Sequence, residues 1–137
     1  MTKPKWPKLP GYTIPLFESA NVYLATTREE FIQADKFCGG SVGERPFNAG
    51  LASAYENEEG GERIYLIGVF DKQLSTLVHE CAHVCFYVCS DVGVTTNPGD
   101  ANETYCYMLD RMFSHFAPVI AKLVMNEDDK DEKHVST

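Results

Sequence analysis

Apolar residues change along this chain from short strand-like runs in the first half to helical spacing in the second. The strand-like runs lie at residues 12–17, 21–26, 49–55 and 63–70, and the last is apolar enough to be a central strand. Between the second and third runs, Thr27 to Glu30 is a capping box that opens a helix, which Gly39 closes. Residues 71–94 and 100–124 have the spacing of two longer helices. The pattern predicts an α+β fold, with a small, mostly antiparallel, twisted sheet packed on an outer helix and two further helices.

The length of 137 residues predicts one domain with a single core. Residues 1–10 combine three lysines with three prolines, which predicts a flexible basic arm that Trp6 pins to the surface. Residues 126–137 are acidic and are predicted to be a disordered tail. The domain itself is therefore expected to span residues 11–125.

The net charge limits which classes of partner the protein is expected to bind, and the cysteines indicate the cellular compartment. The net charge of −8 argues against nucleic acid as a partner, and no apolar run is long enough for a membrane span. The first residues have no apolar core of a secretory signal. Three of the five cysteines recur every four residues along one helix, at Cys81, Cys85 and Cys89. They are interpreted as small buried hydrophobic residues of a protein in a reducing cytoplasm. We call these three the cysteine stripe.

The helix predicted at 71–94 contains His79, Glu80 and His83 in an HExxH pattern. Four residues make slightly more than one turn, so both imidazoles project from one face and can share a metal ion. Glu80 projects about 100° round the helix from His79, beside such an ion, where it can take a proton from a water molecule. The alternative is a pair of core or surface histidines one turn apart.

Glu103 is the candidate for a third metal ligand. Catalytic zinc usually takes three protein ligands. Asp100 followed by Glu103 is typical of a capping box, which predicts a helix start at Asp100 with Glu103 in its first turn. Residues 95–99 form a short turn cluster, so an antiparallel helix pair would bring Glu103 near the His83 end. The alternative is that the Glu103 carboxylate only caps its helix.

The HExxH pattern, followed by Asn102-Glu103 twenty positions after His83, resembles the gluzincin metallopeptidases, the thermolysin-like clan. The resemblance covers residues 77–110 and is closest to minimal, single-domain members of this zincin-like fold. It implies that His79, His83 and Glu103 bind Zn²⁺ and that Glu80 is the general base. Small stand-alone zincins of this kind occur in phages and mobile elements.

Two parts of the gluzincin site have no direct counterpart in this sequence. Where the family places a carboxylate that holds the first histidine, this chain has Tyr107, and Asp110 is the substitute candidate. The domain that supplies the oxyanion donors of large gluzincins is absent, which leaves Tyr105, Tyr107 and His115 as the nearby candidates.

Substrate is expected to bind on an edge strand. Gluzincins add an extended peptide to such a strand, and Ala49, Gly50, Leu51 and Ala52 form the candidate here. Asn48-Ala49 is similar to the residue pair that begins this strand in the family. The alternative is a strand whose edge the N-terminal arm covers.

The sequence therefore predicts a cytoplasmic zinc-dependent metallopeptidase that acts on a peptide or protein substrate. Two other function classes stay open: a zinc-stabilised scaffold that binds a protein partner, and a metal-dependent amidohydrolase with a non-peptide substrate. The sequence does not define the oligomeric state.

Overall fold

A computed structural model describes residues 5–16, 20–41, 49–56 and 63–135, with the backbone alone at 128–135. It has four strands and three helices, about half of the chain being helical, and the α+β prediction is confirmed. In chain order the elements are β1 (Gly11–Thr13), β2 (Ala20–Ala25), α1 (Arg28–Phe37), β3 (Gly50–Tyr55), β4 (Arg63–Val69), α2 (Leu74–Val92) and α3 (Glu103–Val135).

The four strands form one mixed sheet in the order β1-β2-β4-β3. The two outer pairings, β1 with β2 and β3 with β4, are antiparallel, as expected. The central pair, β2 with β4, is parallel, and Ala20 lies opposite Arg63. A parallel pair needs a crossover connection, which α1 provides. The predicted central position of residues 63–70 is confirmed.

Local signals explain where α1 and α2 begin and end. Glu30 donates its backbone N–H to the hydroxyl oxygen of Thr27 at 3.2 Å, and the Thr27 hydroxyl donates to the Glu30 carboxylate at 3.0 Å. Helix α2 ends at Gly93, whose φ of 77° suits a residue without a side chain. Asp71 precedes α2, accepting hydrogen bonds from the Gln73 backbone N–H at 3.2 Å and the Thr76 hydroxyl at 2.6 Å.

Helix α3 differs from its prediction at both ends. It begins at Glu103 and not at Asp100, because Asn102 takes a positive φ of 53° and ends the turn region. It continues through Pro118 to Val135, so the predicted end near Val124 is wrong. The backbone of the acidic segment is thus helical up to Val135, in a region predicted to be a disordered tail.

Two apolar clusters pack against the two faces of the sheet. The larger lies between the sheet and the α2–α3 pair, and it includes the cysteine stripe with Met112 and Phe116. The smaller lies on the α1 side and is built around Phe31 and Leu66, with Trp6 packed against it. Trp6 also stands edge-on to the Tyr23 ring at 4.8 Å, so the expected role of Trp6 as an anchor is confirmed for the described part of the arm. Residues 1–4 lie outside the described residues.

The outward backbone groups differ in their contacts between the two edge strands, β1 and β3. Next to β1, the Pro10 carbonyl oxygen accepts a hydrogen bond from the Leu24 backbone N–H. Because successive residues of an antiparallel strand point their backbone groups to opposite sides, the Gly11 carbonyl points away from β2. His115 of α3 lies 2.8 Å from that carbonyl oxygen through Nε2 and donates to it. In β3, the Phe70 N–H donates to the Ala49 carbonyl at 2.9 Å, which fixes the alternation. The outward N–H and C=O groups of β3 therefore belong to Gly50, Ala52 and Ala54.

No described strand pairs with that outer side of β3. The prediction that residues 49–55 form an edge strand is thus confirmed for the described part of the chain. Among the same residues, no helix combines the length and the apolar character that crossing a membrane requires.

Candidate metal centre

His79 and His83 lie side by side on the exposed face of α2. Their Nε2 atoms are 3.2 Å apart, and their ring centroids are separated by 4.8 Å. The spacing of four residues along one helix produces this approach, as the sequence predicts. With Glu80, they form a group whose possible ligand atoms all lie within 4.8 Å of one another. The group is close enough to bind a metal ion.

Glu80 differs from the two histidines because its side chain is buried. Only 6% of the residue is exposed, and its Oε1 lies 3.8 Å from His79 Nε2. Its Oε2 is buried and has no hydrogen-bond partner among the described residues. Burial raises the pKa of Glu80, while the neighbouring His79 and His83 act in the opposite direction. A carboxylate with an unpartnered oxygen next to two imidazoles is poised to accept a proton.

Gly50 of β3 makes room for the Glu80 side chain. A Cβ at position 50 would lie 2.5 Å from the Gly68 carbonyl oxygen, 2.8 Å from Thr76 Cγ2 and 3.2 Å from Glu80 Cγ. The absence of a side chain at Gly50 therefore lets α2 lie directly against the first residue of β3. This contact places the HExxH segment beside the open edge of the sheet.

An open pocket of about 390 Å³ lies at this junction. It is lined by the start of β3 and by the first two turns of α2: Ala49, Gly50, Ser75, Thr76, His79 and Glu80. Two of the four residues predicted to bind substrate, Ala49 and Gly50, thus share a pocket with the predicted metal site. Leu51 packs in the cluster on the α1 side, and Ala52 packs in the cluster on the α2–α3 side. Asn48 lies outside the described residues.

The structure does not bring Glu103 into the His79–Glu80–His83 group. Glu103 is the first residue of α3 and is exposed. Two residues later, the Tyr105 hydroxyl lies 3.4 Å from the Ala82 carbonyl oxygen, and its ring packs 4.6 Å from that of Phe86. Two residues turn an α-helix by about 200°, so Glu103 projects from the side of α3 opposite to the one that contacts α2. The ligand role of Glu103 stays a prediction.

The other predicted accessory residues lie at two places. Tyr105 contacts α2 next to His83, as described above. Tyr107 lines a pocket of about 360 Å³ together with residues of β1, and Asp110 lines a second opening with His115 on the same side of α3. His115 is held there by its contacts with Gly11 and with the Tyr12 ring at 5.0 Å. These three side chains therefore accompany β1, at the sheet edge opposite to β3.

Tyr87 is a neighbour of the site that the sequence reasoning missed. Its ring stacks on that of His83, with centroids 6.5 Å apart and planes inclined by 20°, and 37% of the residue is exposed. The signal was available, since Tyr87 follows His83 by four residues and so continues the row of His79 and His83.

The donor set fits a tetrahedral zinc ion. With Zn–N bonds of about 2.0–2.1 Å and tetrahedral angles, two ligand nitrogens lie roughly 3.3 Å apart. The observed separation of His79 Nε2 and His83 Nε2 is 3.2 Å. Imidazole nitrogens and a carboxylate are also ligand types that zinc accepts. The spacing of the two histidine nitrogens therefore matches that of two ligands on one such ion.

Comparison with known proteins does not assign this chain to a family. A scan against protein-family models, a search of curated proteins and a search of solved structures each found no match for this chain.

Proposed function

We propose that this chain is a zinc-dependent metallopeptidase, with His79 and His83 as metal ligands and Glu80 as the general base. The observation that carries the proposal is the buried, unpartnered Glu80 carboxylate beside two imidazoles whose Nε2 atoms are 3.2 Å apart. A site that serves only for stability has no use for a buried carboxylate with a free oxygen, since such a group costs about 1–3 kcal/mol.

The third ligand is proposed from the resemblance to gluzincins alone. That resemblance assigns the role to Glu103, which lies outside the group in this structure. A bound zinc ion would polarise the substrate carbonyl and lower the pKa of a water molecule toward about 7.

In the proposed reaction, Glu80 moves the proton that hydrolysis requires. It accepts a proton from the attacking water, whose oxygen forms a bond to the carbonyl carbon of the peptide. The C–N bond breaks, and Glu80 returns the proton to the leaving nitrogen, which departs as an amine. Burial raises the pKa of Glu80 and so makes its carboxylate a better proton acceptor.

The open edge of β3 supports a peptide as the substrate. Its outward N–H and C=O groups at Gly50, Ala52 and Ala54 can pair with an extended chain, which would then run past the pocket at Glu80. The side chains at these three positions are small, so the edge itself imposes little selection on the substrate. Selectivity then depends on what lines the pocket.

Metal analysis of protein purified without chelator tests the ligand assignment. We expect about one zinc per chain. The double substitution His79→Ala/His83→Ala should reduce the zinc content to near zero, whereas His115→Ala should leave it unchanged, because His115 lies at the β1 edge. Retention of zinc by the double variant would refute the site. Glu103→Gln should weaken zinc binding if Glu103 is the third ligand.

A peptide library read by mass spectrometry tests the reaction. We expect cleavage by the zinc-loaded protein and none by Glu80→Gln, which should keep its zinc because Glu80 acts as a base. Loss of zinc from Glu80→Gln would instead make Glu80 a ligand. A zinc-loaded protein that cleaves no member of the library would refute the peptidase and leave the scaffold and the amidohydrolase as the alternatives.

A further inference from the structure

The flank of α2 that faces β3 carries two functional groups, Glu80 beside His79 and Tyr87 beside His83. Thr76 and Glu80 contact Gly50 along this flank. Tyr87 follows Glu80 by seven residues, which is about two turns, so it lies on the same flank roughly 10.5 Å further along the helix axis. Side chains on a helix lean toward its N-terminus, and the Tyr87 ring accordingly stacks on His83.

Tyr87 has a hydroxyl with no partner among the described residues, and it is the tyrosine that stacks on a histidine of the site. Three other tyrosine hydroxyls are already engaged. Tyr55 donates to Asp35 at 2.5 Å and Tyr65 donates to Asp91 at 2.5 Å, while Tyr105 lies 3.4 Å from the Ala82 carbonyl oxygen.

The remaining three tyrosines lie elsewhere. Tyr12 and Tyr107 line the pocket at the β1 edge, and Tyr23 packs against Trp6 on the α1 side. By its position, Tyr87 is therefore the tyrosine suited to reach a peptide that lies on β3 and passes the histidines.

We propose that Tyr87 is a catalytic residue of the metallopeptidase, and that its hydroxyl donates a hydrogen bond to the carbonyl oxygen of the peptide bond being cleaved. This inference rests on the proposed function. The carbonyl oxygen gains negative charge as water adds to the carbon, and a donor that faces it stabilises the transition state more than the substrate. Glu80 then acts beside His79, and Tyr87 acts beside His83.

The substitution Tyr87→Phe removes the hydroxyl and keeps the ring that stacks on His83. Loss of one such donor should lower kcat/KM by about 10²–10³-fold, with the loss mainly in kcat. The matched control is Tyr23→Phe, which removes a hydroxyl from a ring that packs against Trp6 on the α1 side of the sheet and should leave kcat/KM unchanged. Zinc content should stay the same in both variants.

Binding of a phosphinic peptide, built on the best-cleaved library sequence, gives a readout that does not depend on turnover. Its tetrahedral phosphinate reproduces the charge and shape of the transition state. Titration calorimetry should show binding about 10–100-fold weaker in Tyr87→Phe than in the wild type and unchanged in Tyr23→Phe.

The outcomes separate this inference from the proposed function. If the zinc-loaded wild type cleaves no peptide, the proposed function fails and the role of Tyr87 fails with it. If the wild type cleaves while Tyr87→Phe keeps its kcat/KM or its phosphinate affinity, the peptidase stands and the role of Tyr87 is refuted. A loss that appears only in Tyr87→Leu, and as a raised KM, would likewise refute it and assign the ring to substrate packing.

Discussion

Replacing Glu80 by methionine should make the metal-free protein more stable while abolishing the proposed peptidase activity. Glu80 is 6% exposed, and its Oε2 is buried with no partner among the described residues. A buried acceptor that lacks a hydrogen bond costs about 1–3 kcal/mol, and a charged one costs more. Methionine has a similar length and helix propensity, so the substitution removes this cost without disturbing α2. We expect a gain of about 1–2 kcal/mol, which for a domain of this size raises Tm by roughly 3–8 °C.

The measurement is thermal unfolding at pH 8 of protein freed of metal by chelation. Lys122→Met is the control, because Lys122 is exposed on α3, and its stability should stay within about 0.5 kcal/mol of the wild type. Zinc should reduce the gain from Glu80→Met, since a cation stabilises the wild-type carboxylate. A lower Tm for metal-free Glu80→Met would show that Glu80 has a stabilising partner and would refute the reasoning.

Two further predictions concern the sheet edge and the thiols. Ala52→Pro removes an outward N–H of β3 and should raise KM for peptides about 10-fold with little change in Tm. Ser53→Pro removes a backbone hydrogen bond to β4 and should lower Tm markedly. Equal effects of the two substitutions on Tm would contradict the register of β3 on β4. In the cysteine stripe, burial raises the pKa of Cys81 and of Cys85 to about 12. At pH 8 a thiol reagent should therefore modify the exposed Cys106 rapidly and Cys81 and Cys85 only after unfolding, and rapid reaction of more than three of the five thiols would contradict this. Because these pKa values are raised in the folded state, the contribution of the two thiols to stability should be fully present below about pH 9 and be lost as pH rises from there toward 12.

The elements of the fold follow from local signals, whereas their arrangement does not. The capping box at Thr27 and the glycine at position 93 each mark a helix end that the structure confirms. The parallel pairing of β2 with β4 depends on contacts between distant segments, which no local pattern encodes. The start of α3 at Glu103 depends on the positive φ of Asn102. The Asp100–Glu103 pattern does not predict that conformation.

The site shows the same division. His79, Glu80 and His83 are brought together by one helix, so spacing alone predicts their proximity. Glu103 lies on another helix, and its direction depends on the rotation of α3 about its own axis. That rotation is set by which residues pack on α2. The prediction placed Glu103 near His83, whereas the structure places Tyr105 against α2 at the neighbouring residue Ala82.

The parallel pair at the centre of the sheet has a consequence for how the chain folds. Ala20 meets Arg63 after 43 intervening steps along the chain, and β4 alone joins β2 to β3. Closing so long a loop is entropically costly, and pairings between distant segments fold slowly. During synthesis the sheet has no centre until β4 has emerged, and the HExxH helix follows directly after it. Until β4 arrives, β2 can pair only with β1 and β3 has no partner strand among the described residues, so the sheet and the HExxH helix are completed in close succession.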